Sequence, residues 1–275
     1  MTAEPIVDFT LHEAAERLGV HYMTIYRYVR LGLIPAAKAG GSWRVSAADL
    51  EAFIRPRAGR PERGETPWAE RLGSRMLAGD ATGSWAVIEA AMASGASPEQ
   101  VYSGIISPAM TVIGERWARG EIGIEDEHLA SAVAGRLIGK LGPRFARRGR
   151  SKGVVVATTP PGERHGFGVA MISDIIRGRG FEVLELGPDV PIPSLVTALG
   201  KVENLRAVCI SVVSTEYLES CREVVTAVKA DLPGVVVIVG GRAFTSPEQA
   251  DHVGADGFSM DAVGAADILV ELIST

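Results

Sequence analysis

A glutamate and a histidine stand two residues apart in a glycine-rich stretch, residues 159–168. Glu163, His165 and Gly168 form the pattern E-x-H-x-x-G. A carboxylate bonded to one imidazole nitrogen fixes the tautomer and raises the basicity of the other nitrogen as a metal ligand. A glycine at such a place allows a bulky group to approach the backbone. An isolated loop histidine is more often solvated than bound to a metal, so the surrounding elements decide how this one is interpreted.

The elements around this stretch predict an α/β domain over residues 148–275. Apolar runs alternate with helical patterns there, which indicates five βα units. Strands that are apolar throughout are typical of a parallel sheet covered on both faces. In a five-stranded, doubly wound sheet of flavodoxin-like order, ligands bind at the carboxyl ends of strands one and three. The E-x-H-x-x-G stretch follows strand one, Ser211 and Val213 end strand three, and Gly240 and Gly241 end strand four.

These three elements together resemble the cobalamin-binding domain, whose pattern is D-x-H-x-x-G, then S-x-L, then G-G. The resemblance implies that His165 is the lower cobalt ligand in place of the benzimidazole, and that Glu163 hydrogen-bonds to it. It also implies cofactor-binding roles for the remaining motif residues, which are Gly168, Ser211, Val213, Gly240 and Gly241. Glu163 stands for the family's aspartate and Val213 for its leucine, and the longer glutamate changes the geometry of the hydrogen bond.

A nucleotide-binding domain or a receiver domain of the CheY type is the alternative for the same sheet. A receiver requires an aspartate at the end of strand one, where Thr158 and Thr159 stand. A G-x-G-x-x-G fingerprint that begins at Gly166 and Gly168 requires a third glycine where the chain has Met171. Both alternatives therefore lack a defining residue.

Residues 68–147 show four helical segments, which predicts a four-helix bundle. The third segment carries Ile106, Met110, Ile113 and Trp117 on one face, and this face is expected to be buried.

A second motif, W-x9-E-H, consists of Trp117, Glu127 and His128. It resembles the cap of the light-responsive, adenosylcobalamin-dependent repressors of the CarH and LitR type, in which the bundle covers the adenosyl group. The resemblance implies that these three side chains contact the cofactor and that the cofactor is adenosylcobalamin. The alternative is a core tryptophan with a separate histidine at the start of a helix.

Residues 1–55 predict a winged helix-turn-helix domain. Thr10 and Glu13 form a capping box that opens a short helix, and a second short helix follows a glycine break. A small hairpin carrying Lys38 and Arg44 then forms the wing. This segment resembles the excisionase-like branch of the MerR-type winged helix-turn-helix domains.

Contacts with double-stranded DNA are expected from the second helix and the wing. Thr24 and Arg27 share one face of that helix, where side chains reach base edges, while Ile25 and Val29 face the core. Phosphate contacts are expected from Arg30, Lys38 and Arg44. About four phosphate contacts give weak binding per copy, so a homo-oligomer, a dimer or tetramer, is expected. The alternative for this domain is a protein-interaction module.

Composition sets limits on the protein class. The 275 residues have a net charge of -5 and are 47% hydrophobic, which excludes a disordered or collagen-like chain. Neither a membrane span nor a secretion signal is present, so we expect a cytoplasmic protein without a membrane partner. Cys209 and Cys221 are too far apart for C-x-x-C chemistry and are expected to be buried free thiols. Residues 56–67, rich in Pro and Arg, predict a linker.

Taken together, the sequence predicts a multidomain α and α/β protein. The order of its domains indicates a one-component transcriptional regulator, a repressor by resemblance, that senses cobalamin and through it light, and that is not an enzyme. A corrinoid carrier protein of a methyltransferase system is the alternative from another class, because it shares the bundle and the cobalamin domain. A cobalamin-binding adaptor that binds protein through its N-terminal domain is a third interpretation.

Overall fold

The structure is a computed structural model. It describes residues 8–18, 25, 29, 34–39, 42–47, 49–50 and 67–274. Contacts divide the chain into two compact units, Met1–Glu65 and Thr66–Thr275. Within the described ranges, no helix is long and apolar enough to cross a membrane.

The N-terminal unit contains a three-stranded antiparallel sheet in the order β1-β3-β2. Its elements are β1 (Asp8–Thr10), helix α1 (Leu11–Leu18), β2 (Ala37–Ala39) and β3 (Ser42–Ser46). Lys38 lies opposite Trp43 in the β2–β3 hairpin, so the predicted hairpin is confirmed.

The predicted capping box and core positions of this unit are also present. The Thr10 amide donates to Glu13 Oε2 at 2.8 Å, and the Glu13 amide donates to Thr10 Oγ1 at 3.2 Å. Ile25 and Val29 are buried as expected, in a cluster with side chains of α1 and β3. The predicted DNA contacts at positions 24, 27 and 30 lie outside the described residues.

A helical bundle opens the second unit. Its elements are α2 (Trp68–Leu77), α3 (Ala81–Ala93), α4 (Pro98–Val101), a π-helical turn (Tyr102–Ile106), α5 (Ser107–Ala118), α6 (Ile124–Leu141) and a 3-10 turn (Gly142–Phe145). Helix α4, the π turn and α5 form one continuous third helix. It begins at Ser97, whose hydroxyl accepts from the Gln100 amide in a capping box.

The third helix buries only part of its predicted face. Ile106 and Ile113 are buried at 0% and 1% exposure, and Met110 is half-buried. Trp117 is 46% exposed, so the prediction that it is buried is wrong. It stands near the end of α5, where the side chain lines a cavity instead of packing inside the bundle.

The rest of the second unit is a five-stranded parallel sheet in the order β5-β4-β6-β7-β8. Its strands are β4 (Val154–Thr158), β5 (Glu182–Gly187), β6 (Leu205–Ser211), β7 (Val236–Gly240) and β8 (Gly257–Ser259). This is the predicted flavodoxin-like order, with β4 and β6 as strands one and three. The α/β fold class is therefore confirmed.

Helices cover both faces of this sheet. They are α7 (Phe167–Gly178), α8 (Ile192–Leu199), α9 (Leu218–Asp231), α10 (Pro247–Val253) and α11 (Ala262–Ser274). Side chains of α7 and α11 share one apolar core with the bundle, while α8, α9 and α10 enclose a second core on the other face. The bundle is thus packed onto the sheet domain through a common core.

Candidate functional site

A cavity of about 820 Å³ lies between the bundle and the carboxyl ends of β4, β6 and β7. Most of the predicted site residues line it: Trp117, Glu127, His128, His165, Gly168, Ser211, Val213, Gly240 and Gly241. The structure therefore brings together residues from three strand ends and two bundle helices. Glu163 is fully buried and does not line the cavity itself, but it bonds to His165, which does.

Glu163 joins two strand-end loops. Its Oε1 lies 2.6 Å from His165 Nδ1 and accepts from the His165 amide at 3.0 Å. Its Oε2 accepts from the backbone amides of Val213 at 2.8 Å and Ser214 at 3.0 Å. The loop after β4 and the loop after β6 are thereby fixed to the same carboxylate.

The protonation states of this pair follow from its contacts. Burial by itself raises the pKa of Glu163, but the hydrogen bonds from His165, Ser214 and Val213 outweigh it and hold the pKa at about 2. The hydrogen bond to Glu163 in turn raises the pKa of His165. An ionised carboxylate only accepts hydrogen bonds, so Nδ1 of His165 carries a proton. Nε2 is then the ring nitrogen that Glu163 leaves free.

Thr159 was not recognised as part of this site from the sequence. Its hydroxyl donates to the Glu163 carbonyl at 2.6 Å and accepts from the Asp189 amide at 2.9 Å. The Asp189 carboxylate accepts from the Gly162 amide at 2.7 Å. The loop after β5 therefore also supports the loop that carries His165. The available signal was a hydroxyl residue directly after a predicted strand, where a receiver would have an aspartate.

The glycines of the motifs are required by the protein's own packing. A Cβ on Gly168 would stand 2.4 Å from Ser211 Oγ. Gly241 has φ +101°, and a Cβ there would stand 2.3 Å from the Val212 carbonyl oxygen. Gly240 is similarly close to a carbonyl of β8. The interpretation that these glycines leave room for a ligand is therefore incomplete, because protein atoms occupy the space beside them.

The bundle presents a second Glu–His pair to the cavity. His128 Nε2 lies 3.8 Å from Glu127 Oε2, beyond hydrogen-bonding distance, and the His128 side chain is 73% exposed. Glu127 accepts instead from the Ser131 hydroxyl at 2.6 Å. This pair is held only by side chains of α6.

Arg242 directly follows the G-G motif, Gly240 and Gly241, and was not predicted to be part of the site. Its guanidinium lies 3.5 Å from Glu115 Oε1 and so reaches from the sheet domain to the bundle. Both residues line the cavity. Its position just after a strand that ends in two glycines could have identified it, because the other motif residues also follow strand ends.

The donor set limits which metal centre fits. Over the described ranges, no three His, Cys, Asp or Glu side chains are grouped so that they could hold a metal ion. His165 offers one ring nitrogen, so a metal bound here would need further ligands that the described side chains do not supply. A cobalt corrinoid meets this requirement, since the corrin supplies the equatorial nitrogens.

Comparisons with protein families match three parts of the chain. A B12 binding domain model matches residues 68–141, and a second B12 binding domain model matches residues 153–267. A helix-turn-helix domain model matches residues 9–58. The bundle and the sheet domain thus both match domains named for B12.

The dimethylamine corrinoid protein of Methanosarcina barkeri is 30% identical over 182 residues, which are 64% of this chain and 84% of that protein. The chain belongs to the corrinoid protein family. A corrinoid protein of Desulfitobacterium hafniense is 25% identical over 181 residues, covering 64% of this chain and 82% of that protein. The solved monomethylamine corrinoid protein of M. barkeri has a TM-score of 0.66 at 18% identity, over 76% of this chain and 100% of its own, and shows the same fold.

Membership of the corrinoid protein family confirms the predicted cobalamin or corrinoid cofactor. The adenosyl form, the CarH and LitR assignment and the roles of single site residues stay predictions.

Of the expected DNA contacts, Lys38 is exposed on β2 with its Nζ 5.4 Å from the Trp43 ring centre, and Arg44 is half-buried on β3.

Proposed function

We propose that this corrinoid protein is a one-component transcriptional regulator that binds double-stranded DNA and responds to its cobalamin. The observation that carries the proposal is the helix-turn-helix match at residues 9–58 in the same chain as two B12 binding domain matches. A DNA-binding domain attached to a corrinoid site gives that site a means to control transcription. We propose that it acts in the cytoplasm as a homo-oligomeric repressor and not as an enzyme.

His165 is the residue that would hold the cobalt from below. Glu163 fixes the ring through Nδ1, and the Val213 and Ser214 amides fix Glu163 in turn. The orientation of Nε2 is therefore set before any cofactor enters. Bound cobalamin supplies a cobalt centre whose upper ligand can be exchanged or, for an alkyl ligand, removed by light.

The bundle is the part of the chain suited to detect that upper ligand. Trp117, Glu127 and His128 line the cavity from α5 and α6. Trp117 is 46% exposed and the His128 side chain 73%, so neither is packed inside the bundle. We propose adenosylcobalamin as the cofactor because side chains that are not packed inside the bundle can accommodate a large upper ligand, and we propose light as its signal.

A DNA-binding assay on the full-length protein tests this function. The probe is the DNA upstream of the protein's own coding region, with a random duplex of equal length as control. Adenosylcobalamin-loaded protein kept in the dark is expected to bind the upstream DNA at least about tenfold more tightly than the cofactor-free or illuminated protein, a coupling free energy of about 1.4 kcal/mol. Equal binding in all three states would contradict a cobalamin-dependent regulator.

The relatives favour a second function for the corrinoid-binding unit. The curated relatives described above are named corrinoid proteins, two of them for dimethylamine or monomethylamine. A carrier would transfer methyl groups between partner proteins, and its DNA affinity would not depend on the cofactor. Methylation of the loaded chain by a corrinoid methyltransferase, together with cofactor-independent DNA binding, would favour this carrier.

A further inference from the structure

A strip of positive charge runs along the second unit, away from the cavity. Residues 136–152 contain seven Lys and Arg and no Asp or Glu, in a chain whose net charge is -5. We call these side chains the basic strip: Arg136, Lys140, Arg144, Arg147, Arg148, Arg150 and Lys152. Every one of them is exposed.

Among the described residues, no carboxylate pairs with a cation of the basic strip. Over residues 67–274, no ion pair within 4.0 Å involves any member of the strip. Lys140 and Lys152 instead lie over the rings of Trp85 and Phe181. By contrast, Arg179 pairs with both Glu99 and Asp267. The charge of the strip is therefore available to an external anion.

The apolar residues of the same segment point to the kind of anion. Leu137, Ile138, Leu141 and Phe145 are all buried, with at most 7% exposure. These four side chains are therefore not available to an external ligand, and Trp85 beside Lys140 is only half-buried. A polybasic cluster attracts anionic lipid, but stable attachment to a lipid surface also needs an inserted apolar group, and single strands are bound through stacking aromatics. A duplex phosphate backbone requires only cations and hydrogen-bond donors.

We propose that the basic strip binds the phosphate backbone of duplex DNA without sequence preference, as a second contact in addition to those of the helix-turn-helix domain. The inference rests on the proposed DNA-binding function of the chain. A second set of phosphate contacts would raise the low affinity expected of a single winged helix.

Helix α6 links the strip to the cofactor cavity. Glu127 and His128 line the cavity from its first turns, and Arg136 and Lys140 belong to the strip near its other end. The 18 residues of α6 span about 27 Å. The strip also continues to the amino end of β4, whereas the cavity lies at the carboxyl end. DNA on the strip therefore leaves the cavity open, while one helix contacts both ligands.

The salt dependence of binding to a random-sequence duplex measures these contacts. In the full-length protein, Arg144, Arg148 and Arg150 are changed to Gln, which leaves the lysine–aromatic contacts intact. The slope of log K against log salt is expected to become shallower by about 2.7, because each neutralised phosphate contributes about 0.9. Affinity near 100 mM salt is expected to fall at least about tenfold.

A matched control removes the same charge elsewhere on the second unit. Arg75→Gln, Lys201→Gln and Arg222→Gln together are expected to leave slope and affinity close to those of the wild type. An equal loss in this control, or an unchanged slope in the strip variant, would overturn the proposal. So would wild-type protein that fails to bind random duplex at low salt, or a strip variant that loses only its binding to phosphatidylserine vesicles.

A third variant separates this proposal from the proposed function. Lys38→Gln with Arg44→Gln removes two predicted contacts of the wing and leaves the strip intact. If only the wing variant loses affinity for random duplex, the strip proposal fails and the DNA-binding function stands. If only the strip variant loses affinity, the strip binds DNA and the winged-helix contacts are wrong.

Discussion

Two Glu–His pairs face the same cavity, and they are held in opposite ways. Glu163 Oε1 lies 2.6 Å from His165 Nδ1, and the glutamate is completely buried. Glu127 Oε2 lies 3.8 Å from His128 Nε2, and the histidine side chain is 73% exposed. The first pair is tied to the backbone of a neighbouring loop, whereas the second depends on one helix.

The sheet side and the bundle side of the cavity therefore differ in how firmly they hold their histidine rings. A ring fixed by a buried carboxylate is positioned before a ligand arrives, which reduces the cost of ordering it on binding. A ring on an exposed helix end can change rotamer at little cost. The sheet side is therefore suited to hold a cofactor in one position, and the bundle side is suited to respond to what the cofactor carries.

The largest expected effect is a loss of folding stability when the buried Glu163–His165 pair is broken. Glu163→Ala leaves the Val213 and Ser214 amides without an acceptor, so the free energy of unfolding is expected to fall by about 2 to 4 kcal/mol. Glu127→Ala, the matched change in the exposed pair, is expected to cost less than about 1 kcal/mol. Urea unfolding of both variants measures this. Equal losses would remove the distinction between the two pairs.

The next effect concerns cofactor binding. His165→Ala is expected to weaken hydroxocobalamin binding roughly 10- to 100-fold and to change its absorbance spectrum, because the lower imidazole is lost. His128→Ala is expected to keep both the affinity, within about threefold, and the spectrum. Titration followed by absorbance measures the two variants side by side. A wild-type spectrum in His165→Ala would show that this histidine does not ligate cobalt.

A smaller effect is expected where the bundle is anchored to the sheet domain. The Tyr102 hydroxyl donates to Asp174 Oδ2 at 2.6 Å and lies 3.3 Å from the Ile138 carbonyl oxygen. Burial, together with the hydrogen bond to Asp174, raises the pKa of Tyr102. Tyr102→Phe is expected to lower the free energy of unfolding by about 1 to 2 kcal/mol.

Tyr217→Phe is the control for this change, because the exposed Glu216 raises the pKa of the Tyr217 hydroxyl, whereas the partner of Tyr102 is buried. It is expected to cost less than about 0.5 kcal/mol. Thermal unfolding that ranks the two variants the other way would contradict a buried anchor at Tyr102.

The smallest effect is expected at the two thiols, of which Cys209 lines the cavity and Cys221 lies in the core on the other face of the sheet. Cys209 and Cys221 are free and buried, and burial raises the pKa of each thiol to about 12. Since the thiolate is the reactive form, neither is expected to react with iodoacetamide at pH 8 in the folded protein. Mass spectrometry before and after urea unfolding measures this. Rapid labelling of Cys209 in the folded chain would show that the sheet side opens and is less rigid than described.

Much of the site was predictable because strand ends in a parallel sheet meet at one edge. The spacing of Glu163, His165 and Ser211 sufficed to place them together, since β4 and β6 are neighbours in the flavodoxin-like order. The capping boxes at Thr10 and Ser97 were also predictable, because each depends on contacts within four residues.

The exposure of Trp117 was not predictable, because helical periodicity identifies a face but not where the facing elements end. The contacts of Thr159 and Arg242 were missed for a related reason. Each reaches a residue on another loop or helix, at a distance in sequence that no local pattern encodes.

The sequence by itself determined the order of the elements and the parallel sheet, because these follow from periodicity and local spacing, and its resemblance to the cobalamin-binding domain singled out His165 as the candidate ligand. Only the tertiary structure decided that Glu163 is buried with two backbone amides on its second oxygen, that His128 stays exposed, and that the cations of residues 136–152 are exposed. Burial and charge neutralisation depend on which segments pack together, and that packing is a property of the whole fold rather than of any one stretch of chain.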